Sequence, residues 1–423
     1  MRHISFWSLC AAVLSLVGCN GSPAFVSGTR SPNNASAGAL SSGYKVLYSF
    51  QGAGTSDGAA PMRHMLVVFG TLYGMTSVGG SGCHPGVGCG TLFAITTDGA
   101  ENVVYGFKGY PDGFYPDAGL INVNGTLYGT TSKGGAYNKG SVFKVTRSGV
   151  EHILHSFYKN AFDGAYPEAG LTDVNGTLYG TTHGGGPHGK GTIFKIATSG
   201  KENVIYSFGT DGTYDGAWPA ASLTQLKGTL YGTTTGGGKY SGCPHLLGCG
   251  TIFAVTPSGK ERVIHNFRGA EGDGDQPVAG LTVMNGDLYG TTVFGGVAPC
   301  YAGCGVVFKV TKSGAETVLH RFRGSDGAYP GAGLAPLHGA LYGTTNNGGG
   351  YSRCSNSCGT VFKIDAAGHE TVMYRFRGNP DGQNPEGALT EVGGVLYGTT
   401  AYGGLYCEGS HSMGCGTVFQ INP

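Results

Sequence analysis

Charge is scarce in this chain: 12% of its 423 residues are Asp, Glu, Lys or Arg, and Lys+Arg 26 against Asp+Glu 25 leaves a formal net charge of +1. That balance excludes the basic stripe of a nucleic-acid protein, so no nucleic-acid partner is expected. Tryptophan is nearly missing, with 2 residues, and only Trp218 lies beyond the N-terminal segment. A helical period is absent from the body of the chain, which excludes packed amphipathic helices. There is no nucleophile elbow, no phosphate-binding glycine loop and no His-Glu-x-x-His, so several common hydrolase and nucleotide sites are excluded. Glycine is the opposite case, at 82 residues, yet it never falls into the every-third-residue period of collagen. Its glycines recur at fixed places, as turns needing φ > 0 require.

The first residues read as a processing signal. Arg2 precedes a mostly apolar run over residues 4–17 that is too short to span a bilayer. The run ends in Leu16-Val17-Gly18-Cys19, which resembles a bacterial lipobox and implies lipidation of Cys19; an ordinary secretory signal is the alternative. Residues 20–43, rich in Ser, Gly, Asn and Ala, cannot bury a core and read as a flexible tether. The expected organisation is therefore a signal over 1–19, a tether over 20–43 and one folded unit over 44–423. Membrane contact is expected through the lipid anchor alone, on an exported protein of the cell envelope, at the outer membrane or cell surface.

Leu-Tyr-Gly recurs at Leu72, Leu127, Leu178, Leu230, Leu288, Leu341 and Leu396, at spacings of 55, 51, 52, 58, 53 and 55 residues. A period in this range with strand-like content marks a radial or stacked repeat. Each copy holds four short runs rich in β-branched and aromatic residues. In the third copy these are 170–174, 177–182, 191–197 and 203–208, with Asn175-Gly176 as a two-residue hairpin signal. Seven such units predict an all-β, seven-bladed β-propeller with four antiparallel strands per blade. The fragments at the two ends strengthen this. Residues 45–50 are a lone fourth-type strand and 416–422 a third-type strand, so together they complete the last blade and remove the exposed edges. An open β-solenoid of seven turns is the rival.

The set GTLYGTT, GG, GTVFK and VLYSF, with Asp-Gly-x-x-Pro between copies, resembles the Gloeo/Verruco tandem-repeat family over about residues 44–423. That resemblance implies a cell-surface propeller carried by varied anchors, and no defined activity. The paired glycines are also similar to those of kelch blades, although the usual kelch tryptophan is missing.

Strand alternation sends the second-to-third and fourth-to-first connections to one face and the tight turns to the other. The first face carries the length variation, and variable loops on a rigid scaffold are where binding resides. Five of its loops hold cysteine pairs: Cys83 with Cys89, Cys243 with Cys249, Cys300 with Cys304, Cys354 with Cys358, and Cys407 with Cys415. In an exported chain these read as disulfides. Thiolate metal binding is the competing reading, but four ligands must converge and these pairs lie in separate blades. No metal centre or cofactor is expected. The repeated Asp-Gly turns offer calcium only as a minor reading, strongest at Glu271, Asp273 and Asp275.

Positions that differ between copies point to a site. The residue before each conserved-spacing proline is Tyr115, Tyr166, Trp218 or Tyr329 in four blades, candidate stacking platforms for a sugar ring; packing along the seams is the plainer role. Three residues after the proline, six copies carry a small residue, whereas the first carries His64, preceded by Arg63. Asp117, Glu168 and Glu386 come from the same short arc. Such a group at a channel mouth is a candidate acid–base site on a glycan. Lys108, Arg268, Arg323 and Arg377 end their fourth strands on the same face, where pairing with the nearby Asp-Gly acids is the plainer reading and a basic crescent for uronate polymers the alternative. His155, His265 and His320 occupy slots that are Tyr48, Tyr105, Tyr206 and Tyr374 elsewhere, and read as packing residues. The expected function is a surface-anchored binding module for a carbohydrate or a surface protein. A polysaccharide lyase or glycosidase is the second reading and a structural envelope component the third.

Overall fold

The computed structural model describes residues 43–423 apart from 53–55, 84–86, 210–213, 244–247, 270–272, 298, 351–353, 355–357 and 406–413. The expected signal and tether, with Cys19, therefore lie outside the described residues, as does Cys407. Every regular element described is a strand.

Each Leu-Tyr-Gly copy is the second strand of a four-stranded antiparallel sheet. Blade 3 is typical: Thr172–Val174, Thr177–Thr182, Thr192–Ala197 and Glu202–Ser207, paired in that order. The first strand is shorter than the apolar pattern suggests, because Gly170 and Leu171 run along the channel before pairing begins. Blade 7 takes Thr390–Val392, Val395–Thr400 and Thr417–Ile421 from the C-terminal end and Lys45–Ser49 from the N-terminal end. Tyr48 faces Val418 and Val46 faces Phe419 in that closing pair. The first strands approach their neighbours all the way round, the seventh meeting the first. The sheet is thus a closed ring of seven blades, and the solenoid is excluded.

Two motif halves that look independent in the sequence are one packing unit. The glycine of each Leu-Tyr-Gly lies opposite the phenylalanine of the third strand, as Gly129 opposite Phe143. A Cβ on any of the seven glycines would stand 2.4 to 2.6 Å from that ring. The same ring takes the phenylalanine that follows the previous blade's outermost strand, mostly edge to face, at 5.0 to 5.3 Å between centroids in all seven seams. Such pairs contribute about 0.5–1.5 kcal/mol each beyond area burial. The core is accordingly seven clusters lying between blades rather than one central mass.

Threonines in the second strand tie neighbouring blades at the channel side. Thr130 donates to Ala169 O at 2.9 Å, Thr233 to Ala279 O at 3.1 Å and Thr399 to Arg63 O at 3.3 Å, the last across the closure. On the decorated face the Asp-Gly connection pairs with the paired glycines of its own blade, as Gly164–Ala165 with Gly184–Gly185. Both stretches read as plain loops in the sequence. Their pairing makes that face a rigid rim.

Four cystines form as expected: Cys83–Cys89, Cys243–Cys249, Cys300–Cys304 and Cys354–Cys358. The separate-blade thiolate reading falls with them. Cys415 is also disulfide-bonded.

Candidate functional site at the channel mouth

The chain enters every blade through the proline of the Asp-Gly-x-x-Pro connection, and the next three residues descend into the channel. At the second and third of these places the ring carries Ala118-Gly119, Ala169-Gly170, Ala221-Ser222, Ala279-Gly280, Ala332-Gly333 and Gly387-Ala388. Seven backbones converge there, so side chains must be small. Blade 1 breaks the rule with Arg63-His64. The imidazole of His64 lies directly over Gly119, where an added Cβ would be 2.2 Å from the ring. Arg63 donates through Nε to Asp117 O of the next blade. Blade 1 also has Met75 where the other six have the blade-tying threonine, so the arginine bridges the seam in which that hydroxyl is missing.

Around this pair lies a cavity of about 390 Å³ lined by Arg63, His64, Glu168, Glu386 and Glu391 together with small and apolar residues of the other blades. Asp117 stands behind Arg63. Burial pushes all three carboxyls up, against the pull of the guanidinium, and Glu386 reaches about 7. Crowding by the channel wall and the charge of Arg63 hold the His64 imidazole below its ordinary value, although the ring is solvent-exposed. Glu386 is therefore only partly ionised at neutral pH.

A second set of residues, which sequence reasoning did not single out, completes the rim. They follow the last threonine of the second strand: Ser132, His183 and Asn346. Ser132 donates to Asp117 Oδ2 at 3.1 Å, and Asn346 Nδ2 to Glu386 Oε1 at 2.7 Å. His183 Nδ1 is 3.6 Å from Glu168 Oε2. The signal was available, since this position varies (Ser77, Ser132, His183, Thr235, Val293, Asn346, Ala401) while its neighbours repeat. Glu386 Oε2 is buried without a hydrogen-bond partner.

The residues before the prolines reach the same rim. Ser132 Oγ touches Tyr115 O at 3.2 Å, and Asn384 Nδ2 donates to Asn346 Oδ1 at 2.9 Å. All seven adopt positive φ, from Ala60 at 54° and Tyr115 at 53° to Trp218 at 60°. Because alanine, glutamine and asparagine share this backbone with the aromatics, the conformation belongs to the fold and not to the rings. Tyr115, Tyr166, Trp218 and Tyr329 are half-buried. Tyr166 is clasped by Lys133 and Lys139, whose Nζ atoms lie 4.2 and 4.7 Å from its centroid. Tyr115 leans on Phe114 and Tyr329 on Phe294. Among the described residues the exposed rings include Tyr110, Tyr158, Phe162, Tyr214 and Tyr301, on the variable connections.

The Asp-Gly acids serve the turns, as Asp273 shows by accepting from Arg268 N at 2.9 Å and Gly274 N at 2.7 Å. Lys108, Arg323 and Arg377 likewise meet their acids through main-chain N–H groups. Of the acidic stretch read as calcium-like, Glu271 lies outside the described residues. His155, His265 and His320 are not simply interior. They are half-buried and face Asp163, Asp273 and Asp326 at 3.4, 4.0 and 3.1 Å.

The model of the Gloeobacter/Verrucomicrobia repeat family matches residues 35–245 and 245–412. No curated protein matches the chain. Among solved structures it is similar to the computationally designed Ika8 protein, at 12% identity and TM-score 0.46 over 89% of this chain and 99% of that one. A gluconolactonase from Xanthomonas campestris is similar at 14% identity and TM-score 0.40, covering 70% and 82%. A PQQ-bound aldose sugar dehydrogenase from Streptomyces coelicolor is similar at 12% identity and TM-score 0.43, covering 91% and 99%. Likeness at this level carries no argument about chemistry.

Proposed function

This chain belongs to the Gloeobacter/Verrucomicrobia repeat family, and from that premise we propose that it is a surface-anchored binding module that holds the end of an extracellular carbohydrate at the channel mouth. Cys19 would carry the lipid and residues 20–43 the reach. The observation supporting this reading is the break in sevenfold symmetry. A ring whose other six copies keep these two positions small places an arginine and a histidine there, beside Glu168 and Glu386, with Asn346 donating its amide to Glu386. Hydroxyl-rich ligands are held by such mixed donors and acceptors in a concave pocket. Half-buried aromatics beside the rim add contact area at low entropic cost.

A glycan array probed with the full chain carrying Cys19→Ser tests the idea. At least one glycan is expected to bind, with Arg63→Ala and His64→Gly weakening it by 10-fold or more; unchanged retention in both variants sinks the reading. Trp218→Ala and Tyr166→Ala should weaken it less.

One observation favours a catalytic second reading. Glu386, pushed up to about 7, shares the mouth with His64, and a group poised near the working pH suits acid–base catalysis. Incubation with uronate-containing polysaccharides should then release unsaturated or reducing ends, and His64→Ala should abolish the release. Silence from the native chain removes this reading.

A further inference from the structure

Where two blades meet at the perimeter, three side chains face one another. One is the ring at the fifth position of the fourth-strand motif in one blade. The second is the Asp-Gly acid of the connection. The third, in six seams, is a glutamate opening the outermost strand of the next blade; in the seam of Tyr374 it is Tyr44, whose hydroxyl donates to Asp381 at 2.6 Å. In four seams the ring is tyrosine, and its hydroxyl donates to the acid: Tyr48 to Asp57 at 3.0 Å, Tyr105 to Asp112 at 2.9 Å, Tyr206 to Asp215 and Tyr374 to Asp381 at 2.8 Å. In the other three the ring is His155, His265 or His320. A tyrosine hydroxyl brings a proton to this place, whereas a neutral imidazole presents an N–H or a lone pair according to its tautomer, and only the lone pair ligates a metal.

In the histidine seams, one ring nitrogen and one oxygen from each carboxylate lie within 4.8 Å of one another: His155, Asp163 and Glu202; His265, Asp273 and Glu316; His320, Asp326 and Glu370. The first group is the best formed. His155 Nε2 stands 3.4 Å from Asp163 Oδ2, and a tetrahedral ion with bonds of about 2.0–2.2 Å holds its donors roughly 3.4 Å apart. His155 Nε2 and His265 Nε2 are buried with no hydrogen-bond partner, while the facing glutamate Oε1 is orphaned in histidine and tyrosine seams alike. Orphaned buried polar atoms are uncommon and call for a reason. A cavity of about 230 Å³ opens on the first group, lined by His155, Lys159, Asn160, Phe162, Asp163 and Glu202.

We propose that the three histidine seams are binding sites for a divalent transition ion of the zinc class, each clipping two adjacent blades. One imidazole with two carboxylates fits such an ion, whereas calcium takes oxygen ligands throughout. The fourth position is open to water or to an outside donor. Arg268 and Arg321 act on Glu316, and Arg375 on Glu370. A guanidinium beside a ligand competes with a cation; no guanidinium acts on Glu202, although Lys159 lines the cavity of that seam.

Chelator-stripped full chain titrated with Zn²⁺ by calorimetry is expected to take up to three equivalents, with thermal stability rising. His155→Tyr installs the residue the tyrosine seams already use, so it should fold and bind one equivalent fewer. The triple variant with His265→Tyr and His320→Tyr should lose the metal-dependent rise entirely. Co²⁺ in the native chain should give tetrahedral visible absorption. The proposal is overturned if the native chain binds no zinc below about 100 μM, or if His155→Tyr binds as many equivalents as the native chain. It is equally overturned if a folded triple variant keeps its zinc.

Discussion

Asp275 stands where four other blades carry Ala59, Ala165, Ala217 or Ala328, and it is 1% exposed. Both of its carboxylate oxygens are buried without a partner, and it faces the Cys243–Cys249 sulfurs. Burial pushes its carboxyl up to about 7. A folded-state value above the unfolded one means the native chain holds the extra proton. Stability is therefore present at low pH and lost as pH rises from about 4 through 7. Asp275→Ala is expected to stabilise the protein by about 1–3 kcal/mol at pH 8, the cost of one unsatisfied buried polar group. At pH 5 the gain should be smaller. Urea unfolding at the two pH values checks this, and equal midpoints for both proteins at pH 8 would count against it.

The connections show a coupling between distant parts of one blade. Blades with a cysteine pair have glycine two residues after the phenylalanine that closes the outermost strand: Gly52, Gly109, Gly269, Gly324 and Gly378. The blades without cysteines have Lys159 and Thr210 there. At Gly269 φ is 76°, and an added Cβ would lie 2.3 Å from Cys243 Sγ. The cystine rests on the backbone of that glycine, so a longer loop and a bare turn come together. Gly52 belongs to the same set because Lys45–Ser49 is the outermost strand of blade 7, at the opposite end of the chain from Cys415. Gly269→Ala should destabilise by about 1–3 kcal/mol, through overpacking and the left-handed backbone. The equivalent change at position 159, Lys159→Ala, should cost little. Equal melting temperatures for native chain and Gly269→Ala would refute the coupling.

Across the whole ring, the seams set how stability responds to pH. In the tyrosine seams, burial pushes Glu101, Glu151 and Glu261 up to about 7. Each native glutamate binds a proton that its unfolded counterpart releases near 4.5, so stability falls as pH rises from about 4.5 through 7. The metal-free protein should melt higher at pH 5.5 than at pH 8. Replacing these three glutamates by glutamine should reduce that difference without abolishing it, since Glu202, Glu316, Glu370, Asp275 and Glu386 are pushed up alike; a slope unchanged in the triple variant would place its origin elsewhere. Closure makes such effects cooperative. Thr390 donates to Met65 O at 2.6 Å and Phe50 packs on Phe93, so the last seam is built like the other six.

The fold was legible because its causes repeat along one dimension. Period, strand chemistry, turn residues and the split last blade specified seven sheets and their closure, and cysteine spacing specified local cystines. The mouth was legible in part. His64 and Arg63 betrayed themselves by departing from small residues, whereas Asn346 and His183 were passed over among variable loop positions. The stacking role read into Tyr166 met two lysines that no spacing announces. The histidine seams were read as packing, because a ring in a strand looks the same whichever group it faces. Those contacts join one blade's strand, the next connection and the next blade's strand. The distances and burial that make a nitrogen and two oxygens into a donor set arise only once neighbouring sheets are pressed together.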